Sequence, residues 1–187
     1  MDWNTLPLPL KLQSRPKDGR GLPIPAAVVI DENGTPDFRV TDVLKWQRLA
    51  KARCCGLCGE PLERMMAFVG GPVSHQSRFF TDLPMHRPCA EYALQVCPYL
   101  AAPNYRYAEQ VANLAGYVVQ VNDQVANTRP DRFFLALSRH FTLGRLPTGE
   151  LVIRARPWEG TWWWRNGKPL VESPSASHKK QQEPLIG

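Results

Sequence analysis

Cys55 and Cys58 lie two residues apart in the run Arg53-Cys54-Cys55-Gly56-Leu57-Cys58-Gly59, and His86 and Cys89 repeat that spacing after a further 27 residues. Two thiolates so spaced can grip one metal ion, because a tight turn brings both sulfurs to one side. Glycine permits the left-handed backbone that such a turn requires, and Gly56 and Gly59 stand where it is needed. The second pair falls on the first turn of an expected helix, where positions i and i+3 share a face. Three sulfurs and one imidazole make a closed tetrahedral set suited to one structural Zn²⁺, with no position left for an activated water. Binding of this kind contributes on the order of 10 kcal/mol or more to folding. Cys54 in place of Cys55 would give an x3 spacing, which the glycine placement disfavours. Cys97, eight residues beyond Cys89, falls on the apolar face of its helix and reads as a core thiol.

The surrounding elements must carry these ligands. Residues 1–25 hold five prolines and a Lys17-Asp18-Gly19-Arg20-Gly21 cluster, which predicts an extended or mobile lead-in. Residues 26–30 read as a strand, Asn33-Gly34 as a tight turn and Phe38 to Val40 as the returning strand. Thr41 or Asp42 can cap a helix with Val43, Trp46, Leu49 and Ala50 on one face, delivering the chain into the first cysteine pair. Residues 65–81 suit two short strands around a Gly70-Gly71-Pro72 loop. A helix begins near Pro88 with Ala90, Ala93, Leu94 and Cys97 at helical spacing, and Pro98 stops it. A third helix is expected over about 105–120. Beyond Pro130, strands are expected at Phe133 to Leu137, Leu151 to Arg154 and Trp162 to Lys168, the last around an Asn166-Gly167 turn. The expected fold is α+β: a single zinc-stabilised domain over 26–172, its zinc module at about 54–98, with a C-terminal antiparallel sheet and a disordered tail over 173–187.

Composition bounds the function. Of the 187 residues 43% are hydrophobic and 21% charged, which is ordinary for a globular chain. No run approaches the roughly 20 apolar residues of a membrane helix, and Met1-Asp2-Trp3-Asn4 lacks a basic segment followed by an apolar one, so the expected location is cytoplasmic. The net charge is +6, yet residues 54–100 are net −1. The excess lies in Lys45, Arg48, Lys51 and Arg53 and between Arg129 and Arg156, and any bound phosphate should contact these flanks. Arg154, Arg156, Trp163, Arg165 and Lys168 mix cations with aromatics, a combination able to contact phosphates and stack on bases. Strand alternation turns Trp162 and Trp164 inward and leaves Trp163 exposed.

The segments Pro36-Asp37-Phe38-Arg39-Val40, Glu60-Pro61-Leu62, Ala67 to Pro72, His86-Arg87-Pro88-Cys89-Ala90, Cys97-Pro98 and Trp162 to Lys168 resemble uncharacterised treble-clef zinc-binding proteins of bacteriophages and bacteria. The resemblance spans roughly residues 20–170, implies the same four ligands and carries no biochemical activity with it. Treble clefs also scaffold His-metal finger nucleases, which need a general-base His and a second metal ligand, His or Asn, on the helix. His75 is the one candidate base, and the helix supplies no second ligand. Ser138-Arg139-His140 lacks a placed acid. The reading that emerges is a small zinc-stabilised nucleic-acid-binding, regulatory protein with DNA or RNA as partner and no enzymatic activity. A phage-type factor binding a host protein through its Trp/Arg surface is the alternative.

Overall fold

The computed structural model describes residues 6–102, 119–120, 129–147 and 149–170. Asp31 opens the first turn: its Oδ1 accepts from the backbone N–H of Asn33 at 2.9 Å and of Thr35 at 2.7 Å, and Gly34 takes φ +81°. This turn folds β1 (Val28–Ile30) antiparallel onto β2 (Pro36–Asp42). Asp42 then caps α1 (Val43–Lys51) by accepting from the Lys45 N–H at 3.0 Å. Trp46 and Ala50 form the buried face of α1, and the Trp46 indole donates to the Thr81 carbonyl at 2.7 Å.

After the cysteine turn come β3 (Met66–Gly70), α2 (Pro72–Ser77) and β4 (Phe79–Phe80). The loop expected at Gly71-Pro72 is thus a short helix. Pro72 occupies its first position, where the missing N–H costs nothing, and Arg78 ends it in a left-handed conformation. α3 (Arg87–Val96) stops at an extended Cys97, and Pro98, rather than only terminating it, starts α4 (Pro98–Ala101). The helix expected over 105–120 lies outside the described residues except at β5 (Val119–Gln120), which pairs with β2 as a strand. The tail over 173–187 also lies outside them.

The remaining strands are β6 (Phe133–Ser138), β7 (Phe141–Arg145), β8 (Leu151–Ala155), β9 (Gly160–Arg165) and β10 (Lys168–Pro169). Besides the sheet β1-β2-β5 they make two antiparallel sheets, one ordered β10-β9-β6-β3 and one ordered β4-β8-β7. The chain is therefore a mixed α and β fold with antiparallel sheets, and its C-terminal strands do not form a sheet of their own. β6 takes β3 as a partner, from Met66 opposite Ser138 to Gly70 opposite Phe134, and β8 takes β4. β6 consequently sits in the middle of its sheet and buries Phe133, Phe134, Leu135 and Ala136 in succession, more than the alternating Phe133, Leu135 and Leu137 that the sequence pattern picks out. Phe133 and Leu135 pack with Ala90 and Leu94 of α3. Phe134 and Ala136 face the other way, into a core with Trp46, Phe68, Phe80 and Ile153.

Residues 6–25 are not a detached lead-in. Arg15 donates to the Ile24 carbonyl at 3.1 and 2.8 Å, Asp18 accepts from the Leu22 N–H at 2.9 Å, and Leu12 and Leu22 are buried in one cluster with Cys55, Cys58, Cys89 and Tyr92. Leu6 and Leu8 pack against the same cluster, so the leucines of this segment form one wall of it.

Phe134 is fully buried at the meeting point of both sheets. Phe134→Ala should lower the unfolding free energy by about 3–5 kcal/mol in a denaturant titration, whereas a surface position would cost less than about 0.5 kcal/mol.

Candidate metal centre

The cysteine turn is held by its own backbone. The Cys55 N–H donates to the Glu60 carbonyl at 2.8 Å, Gly59 N–H to the Cys55 carbonyl at 2.9 Å, and Leu62 N–H to the Arg53 carbonyl at 2.8 Å. The two glycines have different reasons. Gly59 takes φ +82°, which L residues rarely adopt. Gly56 has no such dihedral, but a Cβ on it would stand 2.8 Å from the Leu83 Cβ, and its N–H donates to the Pro84 carbonyl at 3.0 Å. This close approach docks the turn against the segment that leads to His86. Ala67 and Met85 exchange both backbone hydrogen bonds at 2.8 Å and so fix where that segment ends and α3 begins. His86 is then the N-cap of α3 and Cys89 lies in its first turn.

The result is a group that could hold a metal ion. Cys55, Cys58, His86 and Cys89 are all buried, and their ligand atoms lie within 4.8 Å of one another. His86 presents Nδ1 to the Cys58 sulfur at 3.4 Å, while Nε2 stands 2.9 Å from the Pro61 carbonyl. The carbonyl can only accept, so Nε2 carries the proton and the Nδ1 lone pair faces the sulfurs, the arrangement that orients a ligating histidine. Lys11 Nζ lies 3.4 Å from the same Nε2, but two donors cannot bond each other, and Lys11 is held by Glu60 at 3.5 Å and Glu63 at 3.6 Å. Backbone N–H groups point at the sulfurs as well, Cys58 N–H to Cys55 Sγ and Glu60 N–H to Cys58 Sγ, both at 3.5 Å.

A hydrogen bond from Cys89 brings Cys55 down to about 4, and the same bond pushes Cys89 up; burial pushes Cys58 up to about 11. A divalent cation held among them would offset the repulsion between thiolates and favour that form of all three. Cys54 is half-buried and outside the group, its Sγ 3.7 Å from the Ala52 carbonyl, which decides between the two adjacent cysteines in favour of Cys55. Cys97 is outside it too, at the junction of α3 and α4, where burial pushes its thiol pKa up.

The expected binding residues do not come together. Arg154 and Arg156 are exposed on and just beyond β8, while Arg165 and Lys168 are exposed on the β9–β10 hairpin of the other sheet. Arg165 is paired with Asp131 at 2.9 Å. The tryptophan expectation is reversed: Trp163 packs beside His75 and Phe134 with Arg132 4.4 Å above its ring, and Trp162 is 41% exposed. Trp162 and Trp164 do share a face, the one carrying α3, but Trp162 lies near the margin of that cover, under Arg87 at 4.5 Å.

A different cluster has no short-range signal in the chain. Arg53 lies 4.9 Å over the Phe141 ring and donates to the Arg139 carbonyl at 3.3 Å. The buried Ser138 hydroxyl donates to the carbonyls of His140 and Arg156, both at 3.2 Å, and the Arg156 N–H donates to the His140 carbonyl at 3.0 Å. Arg53, Arg139, His140 and Arg156 thus crowd one edge, and Ser138 acts as a stitch between strands. His75 sits on α2 against Phe134, Trp158 and Trp163.

Comparison of the chain with protein-family models, with curated proteins and with solved structures yields no match.

Two outcomes follow from this geometry. Cys55→Ser and Cys89→Ser should abolish the metal content measured by mass spectrometry of purified protein, and Cys54→Ser and Cys97→Ser should preserve it. Burial and the Arg132 charge lower the pKa of His75 from its ordinary 6.5. The folded protein then binds fewer protons than the unfolded chain below that value, so stability present above pH 6.5 declines as pH falls through it. His75→Phe should flatten this acid limb in thermal melts between pH 7 and 5.

Proposed function

We propose that the chain is a small nucleic-acid-binding protein whose treble-clef-like module is held by one structural zinc ion. Support for zinc is the donor set: sulfur ligands about 2.3 Å from a tetrahedral ion lie about 3.8 Å apart, a spacing compatible with atoms within 4.8 Å of one another. Four protein ligands close the shell, so the ion would serve folding. Three thiolates would leave the centre with one net negative charge, and Lys11 stands beside it. Support for the treble clef is the chain order: cysteine turn, the antiparallel bridge of Ala67 with Met85, then a helix carrying His86 and Cys89 at its start. The helix α3 offers no further His or Asn, so the nuclease reading gains nothing.

The observation that carries nucleic-acid binding is the charge of the sheet β4-β8-β7. Its strands contain Arg145 and Arg154 and no carboxylate, Arg156 follows directly, and among the described residues Arg154 and Arg156 have no acidic partner. Phosphate contacts need such unpaired cations.

A protein partner is the second reading, favoured by the exposed Trp162 beside a groove of about 200 Å³ lined by Arg87, Glu91, Leu135, Trp164 and Pro169. Exposed tryptophan beside arginine is typical of interface anchors.

Purified protein should carry about one zinc per chain. In binding assays against DNA and RNA, Arg154→Ala with Arg156→Ala should weaken affinity far more than Arg165→Ala with Lys168→Ala. The slope of log affinity against log salt should shrink by roughly 0.7–0.9 for each phosphate contact removed. Salt-insensitive capture of a protein partner, lost in Trp162→Ala, would favour the second reading instead.

A further inference from the structure

The outer face of the sheet β4-β8-β7 carries more than charge. In register across its strands stand Phe79, Arg154 and Thr142, and the neighbouring row of Phe80 and Ile153 is buried in the core. The pleat therefore turns Phe79 outward, where it is 41% exposed. A lone exposed phenylalanine needs no explanation. Here, however, Arg154 lies over the ring, 5.6 Å from its centroid, near the outer limit of a cation–π contact, so the guanidinium can give way to a ligand without losing much. Arg156 lies on the same face as Arg154, about 6.7 Å further along the strand. That separation is of the order of successive phosphates on an extended strand. Thr142 adds a hydroxyl, and no carboxylate belongs to any of the three strands.

We propose that this face binds single-stranded nucleic acid, with Phe79 stacking on one unpaired base and Arg154 and Arg156 contacting the flanking phosphates. The inference rests on the nucleic-acid reading above and narrows it to a substrate class. Val152, on the same face two residues before Arg154, is buried, so the exposed part of the face is the end that carries Phe79, Arg154 and Arg156. An aromatic ring exposed there can reach the face of a base only where that base is unpaired, whereas a duplex offers the sheet its phosphates alone. The same face would be indifferent to sequence, since every base has a π-face.

The test is fluorescence anisotropy with a labelled oligothymidylate and a labelled duplex of equal length, at one salt concentration. The wild type should prefer the single strand. Phe79→Ala should weaken single-strand binding by about 5- to 100-fold, the equivalent of one stacked base, and leave duplex binding unchanged. Phe79→Leu keeps an apolar side chain and should show the same loss, while Phe79→Trp should bind at least as tightly as the wild type. That pair decides the matter even if the alanine variant folds poorly. Equal affinity of the wild type for duplex and single strand, or wild-type binding by Phe79→Leu, overturns this inference; if Arg154→Ala with Arg156→Ala still abolishes binding, the nucleic-acid reading survives it. Binding to neither probe sinks both.

Discussion

The convergence of Cys55, Cys58, His86 and Cys89 is the constraint on which the rest depends. Two ligands arrive on a turn that follows α1 and two at the start of α3, so whatever holds the four together also fixes the angle between those helices. The hydrophobic packing around them is modest: Leu12, Leu22, Leu57, Tyr92 and Val96, part of it supplied by the N-terminal leucines. Three buried thiols could not lie so close as thiolates without a cation to offset their repulsion. The Pro61 carbonyl settles which imidazole nitrogen faces the sulfurs, so even the polarity of the centre is set by the turn that carries Cys58.

From this centre the order spreads through β3. Ala67 is bonded to Met85 on one side and lies opposite Leu137 on the other, so the strand next to the ligands is also the first strand of the main sheet. The placement of α3 over Phe133 and Leu135 follows, and with it the covering of Trp164 and the partial exposure of Trp162. The opposite face of that sheet packs Phe134 and Trp163 against His75, Trp158 and Phe80. The sheet is thus a partition: one side belongs to the ligand-bearing helix, the other to the aromatic core.

Charge is segregated by the same partition. Around α3 the cations are balanced, as in the Arg87–Glu91 pair at 2.8 Å, and the β9–β10 hairpin has its Arg165–Asp131 pair. On β8 and at its end, Arg154 and Arg156 stand without acidic partners among the described residues, close in sequence to strands that carry no carboxylate at all. An ion pair at the surface is worth about 0–1 kcal/mol, so leaving cations unpaired costs stability little and leaves them free for an anionic ligand.

Local chemistry made the cluster of Cys55, Cys58, His86 and Cys89 legible in the sequence. Spacing within each pair, the glycines beside Cys58 and the helix start at Pro88 are short-range facts, and so are the Asn33-Gly34 and Asn166-Gly167 turns and the Asp42 cap. Even there the reason for Gly56 was tertiary, a close approach to Leu83 in place of a left-handed dihedral. Partners distant in the chain were not legible, because alternation tells which residues share a face and not what covers that face. It paired Trp162 with Trp164 correctly, and Trp164 is covered, yet it misplaced the exposed ring at Trp163 instead of Trp162, since burial depends on where α3 ends and where His75 and Phe134 lie. It could not tell that both faces of β6 are buried, because nothing in Phe133 to Ser138 announces that β3 and β9 will flank it. The outward turn of Phe79 and the contact of Arg53 with the Arg139 carbonyl belong to the same class, decided between residues more than 70 positions apart in the chain, as with Phe79 and Arg154.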